Sequence, residues 1–374
     1  MDGTTQVALV RGGRRREAVA EALALIAGGL RERLAVAPAA VLLPDLEVRS
    51  PRWAGTHSDT LSAVVDAAWA AGAVSLEVAA AVPQALRRFR AQGYQGELWN
   101  RGVTFRGLLE SPAAWETIVP LAPGAAPIPF RLPASLLSDC CRISFAVPRT
   151  HGRWRLALGL TRLGGLVHPQ DRRRLEPELL GAFPQVVGWQ LAGRAWEHLR
   201  GPLQRSWLGL RSLPGAARPT RIERQHLEGI RRAADRLIAL ASLLLPQVSI
   251  VDGFTAMHGQ GPHFGSPLKL GLVVAGTDPV AVDAVAAWVH GFDPLELPYL
   301  RQAHATGLGT ADLAAIQILG DPPPELGRRV RRHSADRLLR LATGAVRTPP
   351  PVPRTNAIPG PHLRPSPSPS ARQF

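Results

Sequence analysis

The stretch "QVSIVDGFTAMHGQGPHFGSPLKLGLVVAGTDPVAVDAVAAWVH" (Gln247–His290) holds the pattern that decides the fold. Gln247–Phe254 is an apolar run of strand length that ends in Asp252-Gly253. Lys269–Gly276 reads as a second buried strand, and Asp278–His290 as a helix. Asp278 suits the N-cap, and Pro279 sits in the first turn, where a missing N–H costs nothing. Strand, glycine-rich link, strand and apolar helix in succession point to a layered α/β protein.

The N-terminal half carries the same alternation. Gln6–Val10 reads as a strand, Arg14–Leu30 as a helix, and Ala39–Leu43 as a strand stopped by Pro44. Thr56–Ala73 reads as a helix capped by Ser58 or Asp59 and closed at Gly72, followed by the strand Val74–Val78. This β-α-β-α-β order predicts a mainly parallel sheet flanked by helices. Further along, Cys141–Val147 and Ile316–Leu319 are strand-like, while Val186–Leu199, Arg221–Leu245 and Leu297–Thr306 are helical in pattern. The expectation is a single α/β domain over residues 1–324. Residues 85–245 are read as a more helical, inserted portion. A basic helix is expected over 325–346, and the Pro/Ser-rich tail 347–374 as disordered. Trp189 and Trp196 stand seven apart on a helical pattern, which together with Trp207 suits packing better than a binding stripe.

Composition bounds the function. The chain has 374 residues, enough for a well-buried core, and is 45% hydrophobic and 20% charged. Its two cysteines, Cys140 and Cys141, are adjacent. They cannot frame a disulfide scaffold, and they are too few to hold an iron–sulfur cluster on four thiolates. The first residues carry no basic-then-apolar leader, and no apolar run reaches the roughly 18 residues needed to span a bilayer. Cytoplasmic residence is therefore expected. The net charge is +15, but more than half of that excess falls after residue 324. This weakens a nucleic-acid reading in favour of a solvated basic arm.

Lys269 is the single lysine; every other member of the 44 Lys and Arg is arginine. It starts the second strand beside the glycine turn, and is expected either to pair with a buried carboxylate or to face a strand-end crevice. Gly259, Gly261 and Gly265 follow a strand, where a parallel sheet places its ligands. They suit either close backbone approach to an anion or a tight packed crossover. Their spacing is neither a dinucleotide fingerprint nor a P-loop. Asp283 lies in a helix that is apolar on nearly every face, so its carboxylate needs a cation, a metal or several donors. Asp252 is placed to bond the turn that follows it.

Several of these residues sit at fixed offsets. Asp252-Gly253, Met257, Gly259, Gly261-Pro262, Gly265, Asp278-Pro279, Ala281 and Asp283 resemble the C-terminal hallmark of the domain-of-unknown-function family 362. Gly307, Gly309 and Gly320 are similar to that family's next block. The N-terminal resemblance is looser. The family's Lys-Pro-Asn stands here as Leu43-Pro44-Asp45, and its Thr-His is kept as Thr56-His57. Its Lys-Thr-His appears as Arg149-Thr150-His151, and its Lys-Asn as Thr161-Arg162. Arg149 keeps the charge of the family lysine but not its compact ammonium. The family often occurs fused to ferredoxin-like iron–sulfur modules. No cysteine-rich module is present in this chain, so no iron–sulfur cluster is expected from it.

Candidate catalytic residues are His57, His151 and Asp283. The two histidines, if brought together, could bind a metal or move protons; apart, they are satisfied polar residues. Candidate ligand-binding residues are Arg149, Asp252, Gly259, Gly261, Gly265 and Lys269. No metal site and no cofactor is assigned. The leading reading is a protein that binds an anionic small molecule at strand ends, its reaction unassigned. The others are an accessory to redox metabolism working with a separate iron–sulfur partner, an analogy from the resemblance, and a diverged, non-catalytic member docking through its basic tail.

Overall fold

The computed structural model describes residues 4–46, 51–110, 115–119, 127–175, 221–322, 330–333, 335–336, 339 and 354–356. The main sheet has nine strands. In chain order they are β1 (Thr5–Arg11), β2 (Ala39–Leu43), β3 (Ser75–Ala80), β4 (Val103–Gly107), β7 (Cys141–Ala146), β10 (Val248–Asp252), β13 (Leu272–Gly276), β14 (Ile316–Gly320) and β15 (Arg354–Asn356). A hairpin of β5 (Trp115–Ile118) and β6 (Phe130–Pro133) stands apart. A small sheet holds β8 (Arg149–His151), β9 (Arg155–Ala157), β11 (Thr255–His258) and β12 (Ser266–Lys269).

The main sheet runs β15-β14-β1-β13-β10-β7-β2-β3-β4. Every neighbouring pair is parallel except those of β13, which is antiparallel to both β1 and β10. The sheet is thus mostly parallel, as expected, with its one reversed strand inside the hallmark stretch. The reason lies just upstream. Lys269–Gly276, read as one strand, is two. β12 ends at Lys269 in the small sheet, and β13 begins at Leu272 in the main one. Gly271 makes the corner with φ +63°, a conformation that costs a side chain but not glycine. Its carbonyl accepts the Gly12 N–H at 2.9 Å, which ties the corner to the end of β1.

Helices cover both faces. Along β1, Val7 and Leu9 join one core while Ala8 and Val10 join the other. The first core is closed by the helices Arg221–Leu244, Pro279–Val289 and Pro298–Ala305. The second is closed by Arg15–Leu25, Ala27–Val36, Ser58–Ala70 and Ala85–Ala91. The helix read over Arg14–Leu30 is two helices, broken at Ile26 (φ −108°, ψ 15°). The middle of the chain contributes β4 and β7 to the main sheet itself. Among the described residues no helix is long and apolar enough to cross a membrane.

The helix read over Val186–Leu199 and the three tryptophans lie outside the described residues, as does the tail except for β15. Of the basic helix read over 325–346, residues 330–333, 335, 336 and 339 are described. Arg331–His333 are not helical, and Val330, Asp336 and Leu339 are buried.

Candidate functional site

The eight parallel strands present their C-terminal ends at one edge of the sheet, the edge where such folds place their ligands. Three adjacent central strands carry the small sheet there. β8 follows β7 after Pro148, β11 follows β10 after Gly253-Phe254, and β12 leads into β13. Met257 N–H donates to Pro148 O at 2.8 Å, which holds β11 beside the start of β8.

Arg149, the first residue of β8, is 1% exposed. Its guanidinium lies 2.9 Å from Asp45 Oδ1 and also donates to Ala54 O. The Arg162 guanidinium reaches the same Asp45 oxygen at 2.8 Å. The other oxygen, Oδ2, accepts the Val147 N–H at 3.2 Å. Asp45 follows β2, and its backbone is fixed by Thr56: Asp45 N–H donates to Thr56 Oγ1 at 2.8 Å, and Thr56 N–H to Asp45 O at 3.0 Å. Tyr94 closes the group from below by donating its hydroxyl to Thr56 O at 2.6 Å. Burial, then the charges of Asp45 and Asp252, raise the Tyr94 phenol well above its ordinary range, so it stays a donor. Asp45, Arg149 and Arg162 occupy three positions at which the sequence departs from its resemblance. They converge here on one carboxylate.

A second group adjoins. Asp252, the last residue of β10, is 2% exposed. It accepts from Thr60 Oγ1 at 2.6 Å, from Phe254 N–H at 3.1 Å and from Arg15 Nε at 3.2 Å. The expected bond to the following turn is present in the Phe254 contact. Arg15 also lies over the Phe254 ring, 5.0 Å from its centroid. Arg15 opens an 11-residue helix directly after β1 and Gly12-Gly13, and the N-cap, Arg14, makes no side-chain cap bond. The first N–H groups of such a helix lack intrahelical partners and carry the positive end of its dipole.

His57 rather than Ser58 or Asp59 caps the next helix, with Nδ1 accepting the Asp59 N–H at 3.2 Å. Burial first and the Arg15 charge second hold its pKa below the ordinary imidazole range, so it is neutral near pH 7. With Nδ1 accepting, the neutral ring carries its proton on Nε2. His151 ends β8 and uses Nδ1 in the same way, accepting from Arg153 N–H at 3.0 Å and Trp154 N–H at 3.3 Å. Among the described residues no group of three or more His, Cys, Asp or Glu side chains could hold a metal ion.

Gly259, Gly261 and Gly265 all lie in the turn between β11 and β12. Thr150 Oγ1 donates to Gly259 O at 2.9 Å, and a Cβ on Gly261 would overlap Thr150 O. The turn is therefore packed against β8. The C-terminal segment backs it from the other side, where Gly259 N–H donates to Arg331 O at 2.8 Å and Arg331 contacts the His258 ring. Of the two roles expected of Lys269, pairing with a buried carboxylate is not the one the structure shows. Lys269 is exposed at the end of β12, and among the described residues no ion pair includes it. The corner at Gly271 separates it from β13 and so from the neighbourhood of Asp283.

Asp283 is fully buried on the face of the sheet and away from the strand ends, in the helix after β13. Its Oδ1 accepts from Gly159 N–H at 2.9 Å and its Oδ2 from Leu160 N–H at 2.8 Å. Burial pushes its pKa up to about 7 against those two donors. Arg15 and Thr60 are central here but went unnoticed in the sequence, while Asp45 and Arg162 stood out there only as positions of the resemblance and not as candidate site residues. For Arg15 the signal was present: a glycine pair between a strand and a helix.

These features define an α/β protein whose sheet carries a buried charged cluster and an uncapped helix N-terminus at the ends of its parallel strands. Residues 41–288 match the family described as domain of unknown function (DUF362), and the chain belongs to that family. A thylakoid-associated protein of Synechocystis sp. is 34% identical over 77 residues, which are 21% of this chain and 24% of that protein. A solved structure of a Thermotoga maritima protein is similar at 12% identity and a TM-score of 0.39, over 70% of this chain and 56% of that one. The lactate racemase apoprotein from Thermoanaerobacterium thermosaccharolyticum is similar at 11% identity and a TM-score of 0.42, over 86% and 60% of the two chains. The match thus spans about a quarter of the curated relative and less than two thirds of either solved chain.

Proposed function

We propose that the protein binds an anionic small molecule at the C-terminal ends of its parallel strands, against the turn Gly12–Arg15. One observation carries this reading. The Arg15–Leu25 helix begins there with no side-chain cap, and its Arg15 guanidinium is held in place by the buried Asp252 carboxylate. Helix N–H groups preceded by glycines suit a phosphate or carboxylate, and a guanidinium adds charge-assisted bonds in a fixed direction. His57, neutral at pH 7 and with an N–H on Nε2, stands beside Arg15 as the group able to donate to such a ligand. Asp45, Arg149 and Arg162 support the floor of the site. In this reading Arg149 and Asp252 serve from the buried side, as positioning groups.

The test is a thermal-shift and calorimetric screen of inorganic phosphate, nucleotides and mono- and dicarboxylates against the whole chain. A ligand at a hundred times its Kd stabilises by about 2.7 kcal/mol, a shift easily read. A bound anion whose affinity is unchanged in Arg15→Gln, or the absence of any hit across all three classes, overturns the proposal.

A further inference from the structure

The family hallmark ends in Asp283, yet Asp283 stands on the sheet face rather than among the charged residues at the strand ends. Its two carboxylate oxygens take the N–H groups of Gly159 and Leu160, the first two residues of the short helix Gly159–Arg162. That turn is closed on itself by Thr161, whose hydroxyl accepts from Leu158 N–H at 3.0 Å and donates to Leu158 O at 2.8 Å. It is seated on the sheet by close approach: a Cβ on Gly159 would come 3.0 Å from Asp283 Oδ1 and 3.1 Å from Ser249 Oγ. The last residue of the turn is Arg162, whose guanidinium reaches Asp45 Oδ1 at 2.8 Å. A continuous set of contacts therefore runs from Asp283 through four residues of backbone to the cluster of Asp45 and Arg149.

We propose that Asp283 is a positioning residue for the strand-end site: by holding the Gly159 and Leu160 N–H groups it fixes the turn that delivers Arg162 to Asp45. Asp283 itself bonds to the turn backbone and not to Asp45 or Arg149. A buried carboxylate taking two backbone N–H bonds is a strong and directional anchor, because removing it leaves two donors without an acceptor in an apolar layer. The turn has only four residues and ends on Arg162, so a shift at Gly159 moves Arg162, whereas Arg155, on the strand before it, is held separately by the Asp336 and Glu296 carboxylates. The importance of this arrangement to ligand binding rests on the function proposed above, whereas the positioning of Arg162 does not.

The experiment reads Arg162 directly. Phenylglyoxal labelling of the folded full-length chain, mapped by peptide mass spectrometry, reports how firmly each guanidinium is held. Arg155 is the internal control: it is buried and held by Asp336 at 2.6 Å and Glu296 at 2.9 Å. In Asp283→Ala, Arg162 is expected to label about tenfold faster than in the wild type, as its ion pair with Asp45 loosens, with Arg155 unchanged. Asp283→Asn, which keeps one acceptor oxygen, is expected to fall between the two. Should Asp283→Ala not fold, Asp283→Asn carries the test with the same readout. Arg162 labelling at the wild-type rate overturns the proposal, and so does an equal acceleration at Arg155, which would show general loosening. If no anion binds the wild type, the ligand reading fails while this labelling result stands or falls by itself.

Discussion

Arg149 and Asp45 form an ion pair of 2.9 Å in which the side chains are 1% and 0% exposed, and Arg162 leans on the same carboxylate oxygen. Two guanidinium groups on one buried carboxylate make Asp45 the charge on which the loop after β2, the start of β8 and the Gly159–Arg162 turn all depend.

Removing one member of a buried pair strands the other, at a cost of about 3–5 kcal/mol. Asp45→Asn is therefore expected to lower stability by that order in urea unfolding, and Arg149→Ala by a similar amount. Arg149→Lys, which restores the residue type of the resemblance, is expected to cost less, because it keeps the charge while losing part of the contact to Asp45 and Ala54. Equal losses for Lys and Ala at this position would contradict that account.

Arg15 is expected to matter more to binding than to folding. It is partly exposed, and Asp252 retains the Thr60 hydroxyl and the Phe254 N–H without it. Arg15→Gln should weaken a bound anion by about tenfold or more, the scale of one charge-assisted bond, with a far smaller change in unfolding midpoint. Calorimetry on the two proteins at matched ionic strength decides it.

Stability should fall as pH rises towards neutrality, through Asp283. Its folded pKa is pushed up to about 7 from an ordinary 3.8. Between those values the folded protein holds a proton that the unfolded chain has released. The stabilisation linked to that proton is full below pH 3.8 and is lost as pH climbs through about 7. Comparing unfolding midpoints of the wild type and Asp283→Asn from pH 5 to 8 isolates the effect, since the variant cannot titrate there. The wild type is expected to lose ground relative to the variant across that range; parallel curves would refute it.

The glycine-rich hairpin offers a contrast between two neighbours in the same stretch. Gly261→Ala would drive a methyl into Thr150 O, so a loss of about 1–3 kcal/mol is expected from overpacking against backbone. Lys269→Ala, at an exposed and unpaired site, should change stability by no more than about 0.5 kcal/mol. A large effect at Lys269 with none at Gly261 would reverse the assignment of which residue the hairpin needs.

Periodicity and turn chemistry in the amino-acid sequence determined the α/β class, seven of the nine main-sheet strands, the Asp278-Pro279 helix start and the family resemblance, because these depend on neighbours along the chain. Asp283 also announced its burial, since its helix is apolar on all sides. The sequence could not show that Lys269–Gly276 splits between two sheets. That split depends on one left-handed glycine and on the end of β1 some 260 residues away. Nor could it show that Asp45, Arg149 and Arg162 meet, or that Asp283 anchors the turn bearing Arg162. Tertiary structure decided those points, because a buried charge is stable only where distant segments bring its partners into direct contact, and no local pattern encodes which segments those are.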